Sequence, residues 1–237
     1  MKIAVALFTV AMATASSISH AAGDAAPKPF HATYQALRAG EALGETTLDL
    51  TDNHDGTWTL RSETKGTAGL AKIAGIHIVE TSRFRWHDGK PEAIEYDYKQ
   101  DSAIKSRTRH AMFDHGNVSV EEGGKSYRYA IVPGLIDRQA VTLAISEDLR
   151  RGAKTFDYQV AVMDHVESMR YENAGSEKIT VPAGSFDAVR VQRVGDAGDD
   201  RKRVARSWFA PKLGYVPVQL EQADKKDVIT LKLVSVK

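Results

Sequence analysis

The chain contains no cysteine. That excludes disulfide staples, thiolate metal sites and a lipid-modified N-terminal cysteine, so stability must come from a packed core. An excess of one charge is missing too: the 32 Lys and Arg stand against 31 Asp and Glu, and setting Lys2 aside leaves 31 against 31. So balanced a chain carries no overall electrostatic footprint for nucleic acid or for an anionic membrane surface. Apolar runs long enough to span a bilayer are absent after the N-terminal segment, which predicts no transmembrane anchor in the remainder. Mechanism-bearing motifs are absent as well. Gly66–Gly75 (GTAGLAKIAG) is glycine-punctuated but lacks the Lys followed by Ser or Thr that a phosphate loop needs. No HExxH and no Gly-x-Ser-x-Gly elbow occurs, and no motif asks for a cofactor or a metal.

What is present begins with MKIAVALFTVAMATASSISHAA, where Lys2, an apolar run from Ile3 to Ala15 and small residues at Ser19 and Ala21 fit an export signal. The reading is a signal peptide over 1–21, cleaved near Ala21, with a periplasmic destination; an uncleaved N-terminal anchor is the alternative. Residues 22–29, rich in Ala, Gly and Pro, read as a flexible leader, and 30–237 as one ordered domain. A domain of that size buries roughly 70% of the surface of its unfolded chain.

Ile136–Gly152 organises the rest. Val141, Ile145 and Leu149 recur every four residues, with Ala140 and Ala144 widening the stripe. Asp137 suits a cap for the first turn and Gly152 a left-handed residue after the last, which predicts one long central helix over 137–151. Elsewhere the alternation is that of strands. Before the helix these are Phe30–Leu37, Leu48–Leu50, Thr57–Thr64, Ile78–His87, Ile94–Tyr98, Lys105–Phe113, Asn117–Val120 and Ser126–Val132. After it come Thr155–Val166, Ser168–Asn173, Lys178–Val181, Phe186–Val194, Arg203–Phe209, Tyr215–Leu220 and Val228–Val234, with charged turns at Gly195–Lys202 and Asp224–Asp227. Pro217, inside a strand pattern, marks an edge or a bulge. Short turns without a strand–helix–strand rhythm predict a mainly β, single-domain antiparallel sheet. With so many strands it must curl into a barrel or half-barrel, with the long helix packed on it.

Val181–Ala188 (VPAGSFDA) followed by Val189-Arg190-Val191, and Ser207–Val218 (SWFAPKLGYVPV), together with Phe30–Tyr34 (FHATY) and the mid-chain helix, resemble a family of exported bacterial proteins known as domain of unknown function number three-one-zero-eight. The resemblance covers roughly Phe30 to Val236 and implies architecture, since no activity is attached to that family. The motifs themselves read as turns, with Trp208 and Tyr215 as hydrophobic anchors around Pro211–Gly214.

Catalytic candidates are thin. His54–Asp55, His87–Asp88, Asp114–His115 and Asp164–His165 each set a carboxylate beside an imidazole, but three lie in turns and strand neighbours point to opposite faces. Ser62–Lys65 and Ser102–Lys105 match Ser-x-x-Lys without the helix that gives that dyad its geometry. Glu63, Glu80, Glu95 and Asp97 could supply a glycosidase pair only if two of them converge across a cleft. Aromatics are the stronger signal. Trp58, Phe84, Trp86, Tyr96, Tyr98, Tyr127 and Tyr129 cluster in strands before the helix and could line a concave ligand-binding face, or simply fill it. The sequence thus predicts an exported, periplasmic, non-enzymatic β-domain that binds an apolar small molecule or lipid, or an envelope protein. The alternatives are a hydrolase acting on cell-wall glycan or ester substrates, and an envelope scaffold pairing through an exposed strand edge near Pro217.

Overall fold

A computed structural model of the chain describes residues 26–195, 204–223 and 227–237. The predicted signal peptide, the first part of the leader and most of both charged turns lie outside the described residues. Alternation of buried and exposed side chains sets the strands. β1 (Phe30–Arg38) and β2 (Glu41–Asp52) form the expected hairpin, and β3 (Thr57–Gly66) follows the Asp52–Gly56 turn. In that turn the Asp52 and Asp55 carboxylates accept the N–H groups of His54 and Thr57, which is why acids recur there. A short helix, α1 (Gly69–Ile73), precedes β4 (His77–His87), β5 (Lys90–Asp101), β6 (Arg107–Asp114), β7 (Asn117–Glu122) and β8 (Lys125–Ala130). β9 (Leu135–Asp137) leads into α2 (Val141–Arg150). The chain then returns through β10 (Thr155–Ala161), β11 (Val166–Val181), β12 (Gly184–Val194), β13 (Val204–Ala210), a 3-10 turn at Pro211–Leu213, β14 (Val216–Ala223) and β15 (Val228–Val236).

All fifteen strands join one sheet in the order β8-β7-β6-β5-β4-β3-β2-β1-β15-β14-β13-β12-β11-β10-β9. The first and last strands therefore sit side by side in its middle, and β8 and β9 are its edges. The sheet curls until those ends meet: Tyr96, Ala111, Val118 and Val120 pack in one cluster with Leu135, and Ala161 and Val166 lie against it. It stays open, because no described ladder joins β8 to β9.

Inside the curl lies α2. Val141, Ala144, Ile145 and Leu149 pack on Phe156, Tyr158 and Val160 of β10, Met169 of β11, Val191 of β12 and Phe209 of β13. Leu143 points the other way, into Leu50, Trp58, Leu60 and Phe84 of β2, β3 and β4. A helix clasped from two sides buries even Glu147, whose carboxylate takes Nε–H donors from Arg150 at 3.1 Å and Arg151 at 3.0 Å. The Ser146 hydroxyl donates to the Tyr215 carbonyl at 2.9 Å, and the Tyr158 hydroxyl to Asp148 at 2.8 Å. A further cluster joins Ala32, Tyr34, Val181, Ala188, Trp208, Val218 and Leu233. Adjacent Trp208 and Phe209 thus sit in different clusters, so both faces of β13 are covered.

Four expectations need correction. The central helix is ten residues, Val141–Arg150, not 137–151. Leu135–Asp137 instead pairs in parallel with Gln159–Ala161 of β10, so the sheet is not purely antiparallel. Both outcomes have one cause: Ile136, Ala140 and Ala144 are buried whether the backbone is coiled or extended, so the apolar stripe runs through the boundary. Ser168–Asn173 and Lys178–Val181 belong to a single sixteen-residue strand, β11, which bulges between Asn173 and Ser176 where Gly175 takes φ 95°. Pro217 marks a bulge opposite Phe209, with its carbonyl accepting the Tyr34 hydroxyl at 2.9 Å, and β14 lies between β13 and β15 rather than at an edge. The exposed edge expected near Pro217 is therefore not there. No helix among the described residues is long and apolar enough to cross a membrane.

Trp208 is 6% exposed, and its indole N–H donates to Glu177 at 2.7 Å. Trp208→Ala opens a cavity among Tyr34, Val181, Ala188, Val218 and Leu233 and removes the indole's hydrogen bond to Glu177. It should lower unfolding stability by about 3–5 kcal/mol. Thermal unfolding followed by circular dichroism measures this, and an unchanged melting temperature would refute the anchoring role.

Candidate functional site

The ladder registers place the seven sequence-predicted aromatics on one concave face. A single rung crosses seven strands through Leu50, Leu60, Ser82, Tyr96, Ala111, Val120 and Tyr127. The rings nevertheless fall into two groups. Trp58 and Phe84 surround Leu143 of α2 with Trp86 packed against them, whereas Tyr96, Tyr98, Tyr127 and Tyr129 belong to the cluster where the sheet's ends meet. Trp58, Phe84 and Tyr96 are buried in the protein's own core; Trp86, Tyr98, Tyr127 and Tyr129 are half-buried.

Toward the α1 end the same face turns polar. The next rung reads Ser62, Glu80, Tyr98, Arg109 and Glu122, and the one beyond it Thr46, Thr64, Ile78, Gln100 and Arg107. Glu122 takes hydrogen bonds from Arg109 (2.6 Å) and from Arg107. Burial works to raise its carboxyl, but the two guanidinium partners outweigh burial and hold it below the usual carboxylate range. The Tyr96 hydroxyl donates to Glu80 at 2.5 Å and the Tyr98 hydroxyl to Gln100 at 2.9 Å. The Tyr129 hydroxyl crosses the seam to the Val162 carbonyl at 2.6 Å, and burial pushes its pKa up to about 12. A groove of about 550 Å³ opens at this end on the convex side of the sheet, lined mainly by Val79, Thr81, Asp97, Lys99, Thr108 and His110, which alternate with the concave-facing residues along their strands.

The seam is pinned by Asp137. One of its oxygens accepts the N–H groups of Gln139 (2.9 Å) and Ala140 (3.0 Å), the capping role expected of it, exercised on the turn that precedes α2. The other accepts the Ser82 hydroxyl from β4 on the far arm of the sheet. Beside it the Gln139 amide donates to the Glu80 carbonyl at 3.2 Å. Asp137 is 1% exposed.

The His–Asp neighbours named from sequence do not converge. His54, Asp88 and His115 sit at positive φ in turns, and Asp164–His165 forms only its own exposed pair at 2.7 Å. Ser102 serves its loop, accepting the Lys105 N–H and donating to the Lys105 carbonyl at 3.0 Å each. A different set does come together on the convex side: the His110 imidazole lies 2.8 Å from Asp97 and 3.9 Å from Glu95. Its three ligand atoms lie within 4.8 Å of one another, a grouping that can hold a divalent cation, though solvent reaches all three side chains. Tyr98 and Glu80 were named from sequence, but His110, Arg109 and Glu122 were not. Their only signal is strand register, which pairs Asp97 with His110 and Arg109 with Glu122.

Fold and face together define an open, barrel-like β-domain with a helix plugged into its concavity and a polar mouth at one end. The chain belongs to the family described as Protein of unknown function (DUF3108), whose model matches residues 29–234. No curated protein matches it. Among solved structures it is similar to a β-barrel-like protein of domain of unknown function DUF1849 from Brucella abortus, at 10% identity and a TM-score of 0.58 over 88% of this chain and 97% of that one. That likeness shows the fold alone. A DUF1089 family protein from Pseudomonas aeruginosa matches at 12% identity over 76% of this chain and 84% of that one, with a TM-score of 0.29.

Burial pushes the Asp137 carboxyl from its ordinary 3.8 up to about 6, Glu80 adds to the rise, and the Ser82 and backbone donors oppose it. Between these values the folded protein keeps a proton that the unfolded chain has released, so this group's contribution to stability falls as pH rises through the window. A rise from 3.8 to about 6 corresponds to about 3 kcal/mol. Asp137→Asn removes the titration. The variant's stability relative to the unaltered protein should grow by about 2 kcal/mol from pH 4 to pH 7 in urea unfolding. A difference that stays flat with pH would contradict the burial argument.

Proposed function

We propose that this protein is an exported, periplasmic, non-enzymatic binding domain that takes up an apolar envelope ligand at the α1 end of its concave face. Half-buried Tyr98 and Tyr127 supply the contact, with Trp86 and Tyr129 extending it along the face. The observation that carries this reading is the gradient along one face, from the apolar surround of Leu143 to the rung of Tyr98, Arg109 and Glu122. Such an arrangement offers rings to a hydrocarbon chain and hydrogen-bonding groups to its polar end. The hydrolase alternative has less support, because the carboxylates and histidines named for it from sequence do not meet in this concavity, and Asp97 and Glu95 meet His110 on the convex side.

Native mass spectrometry of protein purified from its host compartment should show a co-purified lipid, and a fluorescent fatty acid should bind with Tyr98 and Tyr127 intact. Tyr98→Ala with Tyr127→Ala should weaken uptake about tenfold, the effect of losing two partly buried rings. Absence of both co-purified lipid and fatty-acid uptake would remove this function.

A further inference from the structure

The described residues include eight exposed large apolar side chains, and these are not equivalent. Met112, Ile131, Val194, Val228 and Val234 are 36–42% exposed, whereas Leu70 (83%), Ile73 (81%) and Ile104 (89%) stand almost wholly in water. The three share one place in the fold. Leu70 and Ile73 belong to α1, Ile104 to the loop between β5 and β6, and the Ala103 N–H in that loop donates to the Ala74 carbonyl at the end of α1 at 2.8 Å.

This rim is built rather than frayed. Ala71 is 3% exposed and sits against Gly66, where an added Cβ would come within 2.5 Å of the Ala71 carbonyl oxygen, so only glycine lets α1 lie this close. The N–H groups of Thr67 and Ala68 donate to the Leu43 carbonyl at 3.2 and 3.3 Å, and that of Ile76 to the Ala71 carbonyl at 3.1 Å. The neighbouring loop is fixed by Ser102 on Lys105 and by the Ser106 hydroxyl on Asp101 at 2.9 Å. The turn thus buries its alanine and shows leucine and isoleucine to solvent, the reverse of what burial alone selects.

The charges around the triad are of one sign where they are free. Lys72 and Lys105 are exposed beside it and make no ion pair among the described residues. The nearby acids are engaged: Glu63 by Arg61, Lys65 and His77, Asp101 by Lys99 and Ser106, while Glu45 faces Lys65 across the β2–β3 ladder. Three isolated apolar side chains flanked by two unpaired ammonium groups match the chemistry of a bilayer interface, acyl chains below and phosphates above.

We propose that this rim docks on a bilayer containing anionic phospholipid, with Leu70, Ile73 and Ile104 entering the headgroup–acyl boundary and Lys72 and Lys105 meeting phosphate groups. This goes beyond the interior ligand reading and does not depend on it. The chain's small net charge of +1 is no obstacle, because the unpaired lysines are local to the rim.

Vesicle flotation tests this, with protein expressed from the full chain and vesicles of phosphatidylethanolamine with phosphatidylglycerol, against phosphatidylcholine alone. Association should favour the anionic vesicles and weaken with salt. Leu70→Ser, Ile73→Ser and Ile104→Ser should each reduce it about tenfold, and Lys72→Glu with Lys105→Glu should abolish the preference for anionic lipid. All five positions are solvent-facing, so melting temperatures should be unchanged, and fatty-acid uptake should persist in these variants if the interior site exists. Equal binding by the triple serine variant would overturn the proposal, because another part of the chain would then hold the vesicle. So would a triad-dependent dimer in sedimentation that ignores vesicles, since the occupant would be a second copy of this chain.

Discussion

The carboxylate of Asp137 is the point at which the two arms of the sheet are held together. A sheet of fifteen strands has two edges and a concave face too large for its own side chains to fill, so it needs a filler and a closure. α2 is the filler, and Asp137 at its threshold is the closure: one oxygen orders the turn leading into the helix while the other reaches Ser82 on the opposite arm. Burying that carboxyl raises its affinity for a proton and so sets a penalty at neutral pH. The penalty is tolerated because the same group positions β9, the turn and α2 at once.

From this closure the rest follows in order along the molecule. The concavity is apolar where Leu143 meets Leu50, Leu60 and Phe84, and polar toward α1, where Glu80, Arg109 and Glu122 share the next rung. At that same end α1 and the Ser102–Ser106 loop carry the least buried apolar side chains described. A polar mouth next to an apolar rim is an economical arrangement for a protein that exchanges a hydrocarbon-bearing ligand with a lipid surface, and it unites the two proposals without making either depend on the other.

Much of the fold was legible because strand alternation survives in the sequence wherever one face is buried and the other wet. The β1–β2 hairpin, the Asp52–Gly56 turn and the Arg83–Glu95 cross-strand pair all follow from local pattern. The seven aromatics do share a face, since period-two spacing fixes the side of the sheet. What failed was the boundary at Ile136, where an apolar residue suits a strand edge and a helix start equally, and the length of β11, whose bulge at Gly175 mimics a turn. The polar mouth was invisible for a different reason. Glu80, Arg109 and Glu122 look in sequence like a solvated face, and only the register that stacks them on one rung shows that they point inward. The exposed triad was equally hidden, because Leu70 and Ile73 in a short glycine-flanked turn suggest burial until Ala71 is seen to occupy the inward side.

A double-mutant cycle between Ser82→Ala and Asp137→Ala, read by denaturant unfolding, tests the closure most directly, because the two residues lie on opposite arms of the sheet and meet only at the seam. A coupling energy of about 1 kcal/mol or more is expected for a hydrogen bond to a buried carboxyl. Additive effects with no coupling would mean that the arms are held apart in solution, and the account of the molecule as a sheet closed around its helix would be wrong.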